Sequence, residues 1–175
     1  GLSSLKTQRL QLHSLRALLS YIGVLLLFYG IANIPLPDVT ALSFTQPLFV
    51  VVLAALILKE VVNGARWIAV IAGFVGLLVI VRPGVVAVEL ATILVLLSAF
   101  SYAVSNICVK RLMTTDTANQ SVFYFNLLML PIALVPALFV WVTPALADLP
   151  LFVAIGVNGT IAVYAHLSWN AIRVK

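Results

Sequence analysis

Six long apolar stretches follow one another along the chain, and short polar segments separate them. Inside a bilayer, backbone N–H and C=O groups have no water to bond to, so a span of about 20 apolar residues has to be a helix. Transmembrane strands are about half as long and alternate in polarity, and this chain shows no such pattern. The sequence therefore predicts an all-α membrane protein with six transmembrane helices: Leu15–Ile34, Val39–Leu58, Ala65–Val81, Leu90–Val109, Val122–Val142 and Leu151–Ile172.

The composition agrees with membrane spans, and the charges predict their orientation. Hydrophobic residues make up 63% of the 175 positions and charged residues 9%, which is too few to cover a soluble domain of this size. With alternating spans, nine of the ten cations fall on one side, and such an excess marks the cytoplasmic side. We expect a multi-pass protein of the plasma (bacterial inner) membrane with both ends of the chain in the cytoplasm. The nine are Lys6, Arg9, Arg16, Lys59, Arg66, Lys110, Arg111, Arg173 and Lys175, and the tenth is Arg82.

The chain lacks the residues that several classes of function require. The net charge of +5 does not indicate a nucleic-acid partner, because the basic residues lie between apolar blocks and form no stripe with aromatics. The single cysteine, Cys108, excludes an intrachain disulfide and a multi-cysteine metal site. His13 and His166 fall at different membrane depths, which argues against a haem with two histidine ligands, and no Walker motif or dinucleotide fingerprint is present. The sequence predicts no enzyme, no cofactor and no metal site.

The fourth predicted span carries a polar stripe. Its members fall within an arc of about 140° around the helix and oppose the Leu/Val/Ile face; they are Ser98, Ser101, Tyr102, Ser105 and Asn106. One interpretation is helix packing, because small hydroxyl residues allow close approach and bond across helices. The other is the wall of a polar cavity, which is favoured because packing rarely requires a tyrosine and an asparagine on the same face.

The second predicted span combines a polar face with a proline. Thr40, Ser43 and Gln46 recur at intervals of three, and Pro47 follows directly. Because Pro47 has no N–H, the carbonyl of Ser43 loses its helical partner and the helix is expected to kink there. A kinked helix can present free backbone groups to a substrate, and it can also be a merely tolerated irregularity.

Two other spans contribute candidate residues. Tyr29 and Asn33 lie one turn apart near the end of the first span, where interfacial anchoring explains the tyrosine as well as a binding role does. The sixth span is rich in polar groups, among them Tyr164 and Trp169. Such groups predict surroundings of protein or water for this helix.

Residues 41–84 contain a series of motifs in a fixed order. They are ALSFTQPLF at 41–49, KE at 59–60, RWIAV at 66–70, GFVG at 73–76 and RPG at 82–84. This series resembles the EamA-type repeat of the drug/metabolite transporter superfamily. The resemblance implies ten helices in two inverted five-helix repeats, of which the six spans would be helices three to eight. Residues 1–84 would then be the C-terminal part of the first repeat and residues 85–175 the N-terminal part of the second, and four helices would lie outside this segment.

The resemblance also implies a function. It predicts a secondary transporter that moves a small polar or amphiphilic metabolite or drug by alternating access, with its substrate near the membrane midplane. The alternative is a non-transporting helical subunit of a larger membrane complex. The expected partners are a small-molecule substrate and the lipid bilayer, with other membrane subunits or a homodimer left open. The expected substrate-binding residues are Tyr29, Asn33, Ser43, Gln46, Ser101, Tyr102, Asn106, Tyr164 and Trp169.

Overall fold

A computed structural model describes Thr7 and residues 9–81, 89–141, 143 and 145–173 of the chain. Within these residues the regular structure is helical and no strand occurs, so the all-α prediction is confirmed. A short 3-10 helix, Leu146–Asp148, precedes the last α-helix. The α-helices are α1 (Leu10–Asn33), α2 (Leu36–Ser43), α3 (Gln46–Ile57), α4 (Gly64–Val81), α5 (Leu90–Leu112), α6 (Ala118–Phe139) and α7 (Leu149–Arg173).

All six predicted spans fall on helices, and the second is divided into α2 and α3. In the described part of the chain, four helical segments are long and apolar enough to cross a membrane: α1, Leu36–Ile57, α5 and α6. Shorter apolar helices, Gly64–Val79 and Leu146–Ala162, occupy the positions of the third and sixth predicted spans.

Local sequence explains where several helices begin and end. The side chain of Thr117 accepts a hydrogen bond from the backbone of Gln120, and the Gln120 side chain accepts one from the backbone of Thr117. This capping box satisfies two free N–H groups and fixes the start of α6. Lys110 and Arg111 lie in the last turn of α5, where positive charge complements the helix dipole.

The chain forms two compact units, and residues 18–108 make the first. Its core contains Val39, Leu42 and Val95, all nearly inaccessible to solvent. The ring of Phe49 on α3 makes edge-to-face contacts with Phe74 on α4 and Phe100 on α5, at centroid distances of 5.7 and 5.6 Å. These aromatic contacts hold three helices of this unit together.

The second unit contains residues 1–17 and 109–175. In it α6 packs against α7. Two prolines, Pro131 and Pro136, lie inside α6, each of which removes a backbone donor from the helix. The first turns of α1 meet the α5–α6 connection, residues 113–117, through a cluster of polar side chains.

Candidate functional site

The polar face of α5 is used in part to hold α1. Ser98 is fully buried, and its Oγ donates a hydrogen bond of 2.8 Å to the carbonyl oxygen of Gly23. The Oγ atoms of Ser105 and Ser20 lie 2.8 Å apart and share a hydrogen bond. For these two serines of the stripe, the contacts are those that helix packing predicts.

Tyr102 and Asn106 occupy the same face of α5 and stay partly exposed. The ring of Tyr102 lies against Gly23, so that a Cβ at residue 23 would be 3.1 Å from the ring. The third predicted residue of this helix, Ser101, is buried. Within the polar stripe of α5, the amide of Asn106 and the phenol of Tyr102 are therefore the groups that stay partly exposed.

The interruption predicted at Pro47 is present in the structure. Helix α2 ends at Ser43, and α3 begins at Gln46 with Pro47 in its first turn. The hydroxyl of Ser43 donates to the carbonyl of Val39 at 2.8 Å, so it is satisfied within its own helix. Ser43 and Gln46, both half-buried, flank the break.

Thr45, which the predicted site omits, is the polar residue at the centre of this break. It is 3% exposed, and its Oγ1 donates to the carbonyl of Leu42 at 2.6 Å. The sequence reasoning missed Thr45 because a continuous helix places it away from the face of Thr40, Ser43 and Gln46. The signal that could have found it is the motif itself, in which Thr45 is two residues before the proline.

A cleft of about 250 Å³ lies beside the break, between it and α4. Ser43 and Gln46 are not among the described residues that line it, so the structure separates them from this space. Apart from Thr45, the lining is apolar or glycine: Ala41, Phe44, Leu48, Gly73, Gly76 and Leu77.

Of the four remaining predicted residues, two lie near the C-terminal end of α1 and two lie on α7. Tyr29 is 44% exposed at the C-terminal end of α1, and the amide nitrogen of Asn33 donates to its carbonyl at 2.7 Å. Tyr164 on α7 is also exposed. Trp169 belongs to α7, but its side chain lies outside the described part of the structure.

A buried polar cluster at the start of α1 was not predicted as a site. Its centre is Asp116, whose Oδ2 accepts hydrogen bonds from Thr7 Oγ1 at 2.6 Å and from His13 Nε2 at 2.8 Å. One turn along, Arg16 donates to Ser121 Oγ at 2.6 Å, and its guanidinium lies 4.5 Å from the ring centroid of Phe125. We call the contacts of Thr7, His13 and Asp116 the α1 latch.

Sequence contained one signal for this cluster. His13 and Arg16 are spaced by three residues on one helix, and Asp116 is an acidic residue in a loop predicted on the same side of the membrane. From sequence alone, Arg16 counts only among the cations that mark the cytoplasmic side, and His13 is considered only as a haem ligand. In the structure His13 and Arg16 are buried, at 0% and 5% exposure. A cation that serves only to orient the protein in the membrane does not have to be buried.

The environment of Asp116 favours its charged form. Burial alone would raise its pKa, but hydrogen bonds from Thr7, His13 and Thr115 and the attraction of His13 outweigh this effect. The pKa of Asp116 is therefore lowered below its ordinary value of 3.8. The latch contains a carboxylate that stays ionised at neutral pH.

Comparison with known proteins assigns part of the chain to a family model. Residues 3–82 match the model described as the EamA-like transporter family. This range includes α1 to α4, the break after Ser43 and the motif series at 41–84 up to Arg82. No solved structure matches the chain significantly.

Relatives of known name match most of the chain. The S-adenosylmethionine uptake transporter of Rickettsia prowazekii (strain Madrid E) is 30% identical over 164 residues, which are 94% of this chain and 56% of that protein. The riboflavin transporter of Vibrio cholerae is 37% identical over 142 residues, 81% of this chain and 48% of that protein. The pseudopaline exporter CntI of Pseudomonas aeruginosa is 29% identical over 157 residues, which are 88% of this chain and 55% of that protein. The chain thus spans about half the length of the curated relatives that it matches.

Proposed function

We propose that this chain, which belongs to the EamA-like transporter family, forms the central helices of a secondary transporter that moves a small polar or amphiphilic metabolite or drug by alternating access. The chain is a multi-pass α-helical membrane protein. Its relatives are named as uptake transporters and as an exporter, so their names do not indicate whether a substrate would move into or out of the cell.

The broken second span is the observation that carries this proposal. Helix α2 ends eight residues into the 22-residue segment Leu36–Ile57, and the break comes after a rise of roughly 12 Å at about 1.5 Å per residue. In a hydrocarbon core about 30 Å thick, this depth is close to the midplane. Broken helices at the midplane, beside a cavity, are where secondary transporters bind substrates. The cleft at Thr45 supplies such a cavity.

We propose that the substrate site combines this break with polar groups of α1 and α5 that belong to the same compact unit. Tyr102 and Asn106 have the strongest support, because they are large polar groups that packing leaves partly exposed. Hydroxyls and amides would bind the polar part of the substrate, and aromatic rings would stack on a planar part or on a cation. The proposed set remains Tyr29, Asn33, Ser43, Gln46, Ser101, Tyr102, Asn106, Tyr164 and Trp169, to which the structure adds Thr45.

The proposed membrane orientation follows from the distribution of lysines and arginines. The proposed division into two repeats follows from the motif series of residues 41–84. Nine of ten lysines and arginines fall on the side of both chain ends, which supports a cytoplasmic location for those ends. Residues 1–84, with α1 to α4, would belong to the first repeat, and residues 85–175, with α5 to α7, to the second.

The proposed substrate class is a planar heteroaromatic metabolite with a polar chain. Two relatives are named for S-adenosylmethionine and riboflavin, and both compounds have this chemistry. The neutral polar groups and the tyrosine ring described above suit it, since stacking recognises the ring and hydrogen bonds recognise the chain.

Uptake of radiolabelled S-adenosylmethionine and riboflavin tests the proposal in cells that express the gene for this chain. We expect saturable uptake of at least one compound above the empty-vector level. Tyr102→Leu should raise KM, whereas Tyr102→Phe should retain most of the affinity because the ring remains. Leu97→Ala, at an exposed apolar position of α5, is the matched control and should leave KM unchanged.

The opposite result would favour the non-transporting subunit. Absence of uptake for both compounds, together with a stable membrane partner that copurifies with the chain, would contradict the transporter proposal. In that case Tyr102→Leu should change partner binding or stability and have no transport phenotype.

A further inference from the structure

Gly76 leaves part of the wall of the cleft beside the break without a side chain. It lies on α4 among the lining residues, and in the described part of the chain no atom outside its own turn of helix comes within 4 Å of its Cβ position. Gly73, one turn earlier in the same wall, differs, since a Cβ there would lie 2.6 Å from Cδ1 of Leu48. Gly73 therefore allows α4 to approach α3, whereas Gly76 leaves space that a larger side chain would occupy.

The cleft is large enough for a planar ring. Its volume is about 250 Å³, and most of its lining is apolar. An engineered protein cavity of about 150 Å³ with an apolar lining binds benzene. A ring system larger than benzene can therefore enter this cleft as long as residue 76 stays small.

One main-chain carbonyl in the wall of the cleft has lost its helical donor. In a continuous helix the carbonyl of Ala41 would accept a hydrogen bond from the N–H of Thr45. Here that N–H bonds the carbonyl of Leu42 at 3.0 Å, and the N–H of Phe44 bonds the carbonyl of Thr40 at 3.2 Å. The hydroxyl of Thr45 donates to the same Leu42 carbonyl, which holds the turn in this form. Carbonyls at helix ends are satisfied by side chains, water or ligands, and Ala41 lines the cleft.

We propose that the cleft receives one edge of the substrate's planar ring, that an N–H group on this edge donates to the carbonyl of Ala41, and that Gly76 limits the size of ring that enters. This assignment rests on the proposed function, which places a planar heteroaromatic substrate at the break. A lipid acyl chain matches the apolar wall, but it has no donor for the carbonyl.

Equilibrium binding tests the cleft without any transport measurement. The purified chain in lipid nanodiscs is titrated with radiolabelled S-adenosylmethionine and riboflavin. Gly76→Leu should weaken the binding of at least one compound by about tenfold or more, because the leucine side chain takes the space of the ring. Leucine favours helix more than glycine does, so α4 should stay folded, which the melting temperature checks. Ala69→Leu, at an exposed position of α4 outside the described lining, is the matched control and should leave Kd unchanged.

Two nucleosides test the hydrogen bond to Ala41. Adenosine carries the ring of S-adenosylmethionine with its amino group, and purine riboside lacks this group. Both compete against whichever labelled compound the chain binds. Adenosine should compete about 5–150-fold more strongly, as expected for one hydrogen bond. Because purine riboside is the smaller of the two, its weaker competition would not result from bulk. In Gly76→Leu the two nucleosides should compete equally.

Four results would overturn the assignment. One is an unchanged Kd for both labelled compounds in Gly76→Leu, and another is the absence of measurable binding in the wild type. Equal competition by the two nucleosides in the wild type would remove the Ala41 carbonyl from the site. A lipid that copurifies with the wild type and is lost in Gly76→Leu, with Kd unchanged, would assign the cleft to an acyl chain.

Uptake measurements separate this assignment from the proposed function. If binding depends on Gly76 but neither compound is taken up, the transporter proposal fails and the ring site stands. If uptake is saturable and Tyr102→Leu raises KM while Gly76→Leu leaves it unchanged, the transporter proposal stands and the ring does not enter the cleft.

Discussion

The ring of Tyr102 on α5 lies against the backbone of Gly23 on α1, close enough that a Cβ at residue 23 would be 3.1 Å from ring atoms Cε2 and Cζ. The same glycine offers its carbonyl oxygen to Ser98, one turn earlier on α5. Gly23 therefore sets both the spacing of the two helices and the position of the tyrosine ring. Glycine allows this approach because it has no side chain.

Gly23→Ala should displace the Tyr102 ring by a few tenths of an ångström. Because Tyr102 is partly exposed, the ring has room to move, and the cost in unfolding free energy should be at the low end of the range for overpacking, about 1 kcal/mol. If Tyr102 binds substrate, the displacement should raise KM. Parallel measurement of KM and thermal stability checks this, and an unchanged KM would argue against a role for the ring.

Gly30→Ala should be more damaging than Gly23→Ala. A Cβ at residue 30 would collide with Cγ2 of Val95, which is 0% exposed and belongs to the core of its unit. Overpacking of this kind costs about 1–3 kcal/mol. Gly76→Ala is the matched control, since nothing lies within 4 Å of its Cβ position. Equal unfolding free energies for the two variants in detergent would contradict the packing described here.

Sequence was sufficient for the helices and for the break in the second span, because both follow from local rules. Long apolar runs must be helical in lipid, and Pro47 cannot complete the hydrogen bond that a continuous helix needs. Local sequence did not decide whether the polar stripe of α5 packs against another helix or lines a cavity. Packing and cavity walls both use small hydroxyls, and only the contacts of Ser98 with Gly23 and of Ser105 with Ser20 separate them.

The α1 latch shows what sequence patterns do not contain. His13 and Asp116 are 103 positions apart, and no periodicity connects a residue on one helix with a loop so distant in the chain. The positive-inside rule already explains the basic residues near His13, so nothing in the sequence suggests that any of them is buried. Three-dimensional packing was needed to show that His13 and Arg16 are inaccessible to solvent.

The lowered pKa of Asp116 predicts how stability depends on acid. A carboxyl group with a depressed folded-state pKa contributes stability that is fully present above its ordinary value of 3.8 and is lost as pH falls through the lower value. Asp116→Asn should therefore be less stable than the wild type at pH 5 to 7, and the difference should shrink below pH 3.8. Asp38→Asn, at an exposed position in the first turn of α2, should lower stability at pH 7 only by the helix-dipole contribution of one carboxylate, about 0.3–1 kcal/mol. Chemical unfolding across this pH range measures both, and a difference that grows with acid would have the wrong sign.

Membrane orientation can be tested with single cysteines. Cys108 is buried, and Cys108→Ala gives a background free of thiols. Thr115 and Ala147 are both exposed, so protein burial would protect neither position. An impermeant thiol reagent added to intact cells should label Ala147→Cys and spare Thr115→Cys until the membrane is permeabilised. The reverse pattern would show that the cation excess does not mark the cytoplasmic side in this protein.

Asn106 and Ser105 are neighbours on α5 for which the structure predicts opposite phenotypes. Ser105 shares a hydrogen bond with Ser20 on α1 and is buried, whereas Asn106 is partly exposed. Ser105→Ala should lower stability by about 0.6 kcal/mol, a typical value for such bonds between membrane helices, and should leave KM unchanged. Asn106→Leu should leave stability near that of the wild type and raise KM by roughly 5–150-fold, since a lost substrate hydrogen bond costs about 1–3 kcal/mol. Melting temperature and uptake KM, measured for both variants, separate the two roles. A lower melting temperature with unaltered KM for Asn106→Leu would remove Asn106 from the site and would assign the whole stripe to helix packing.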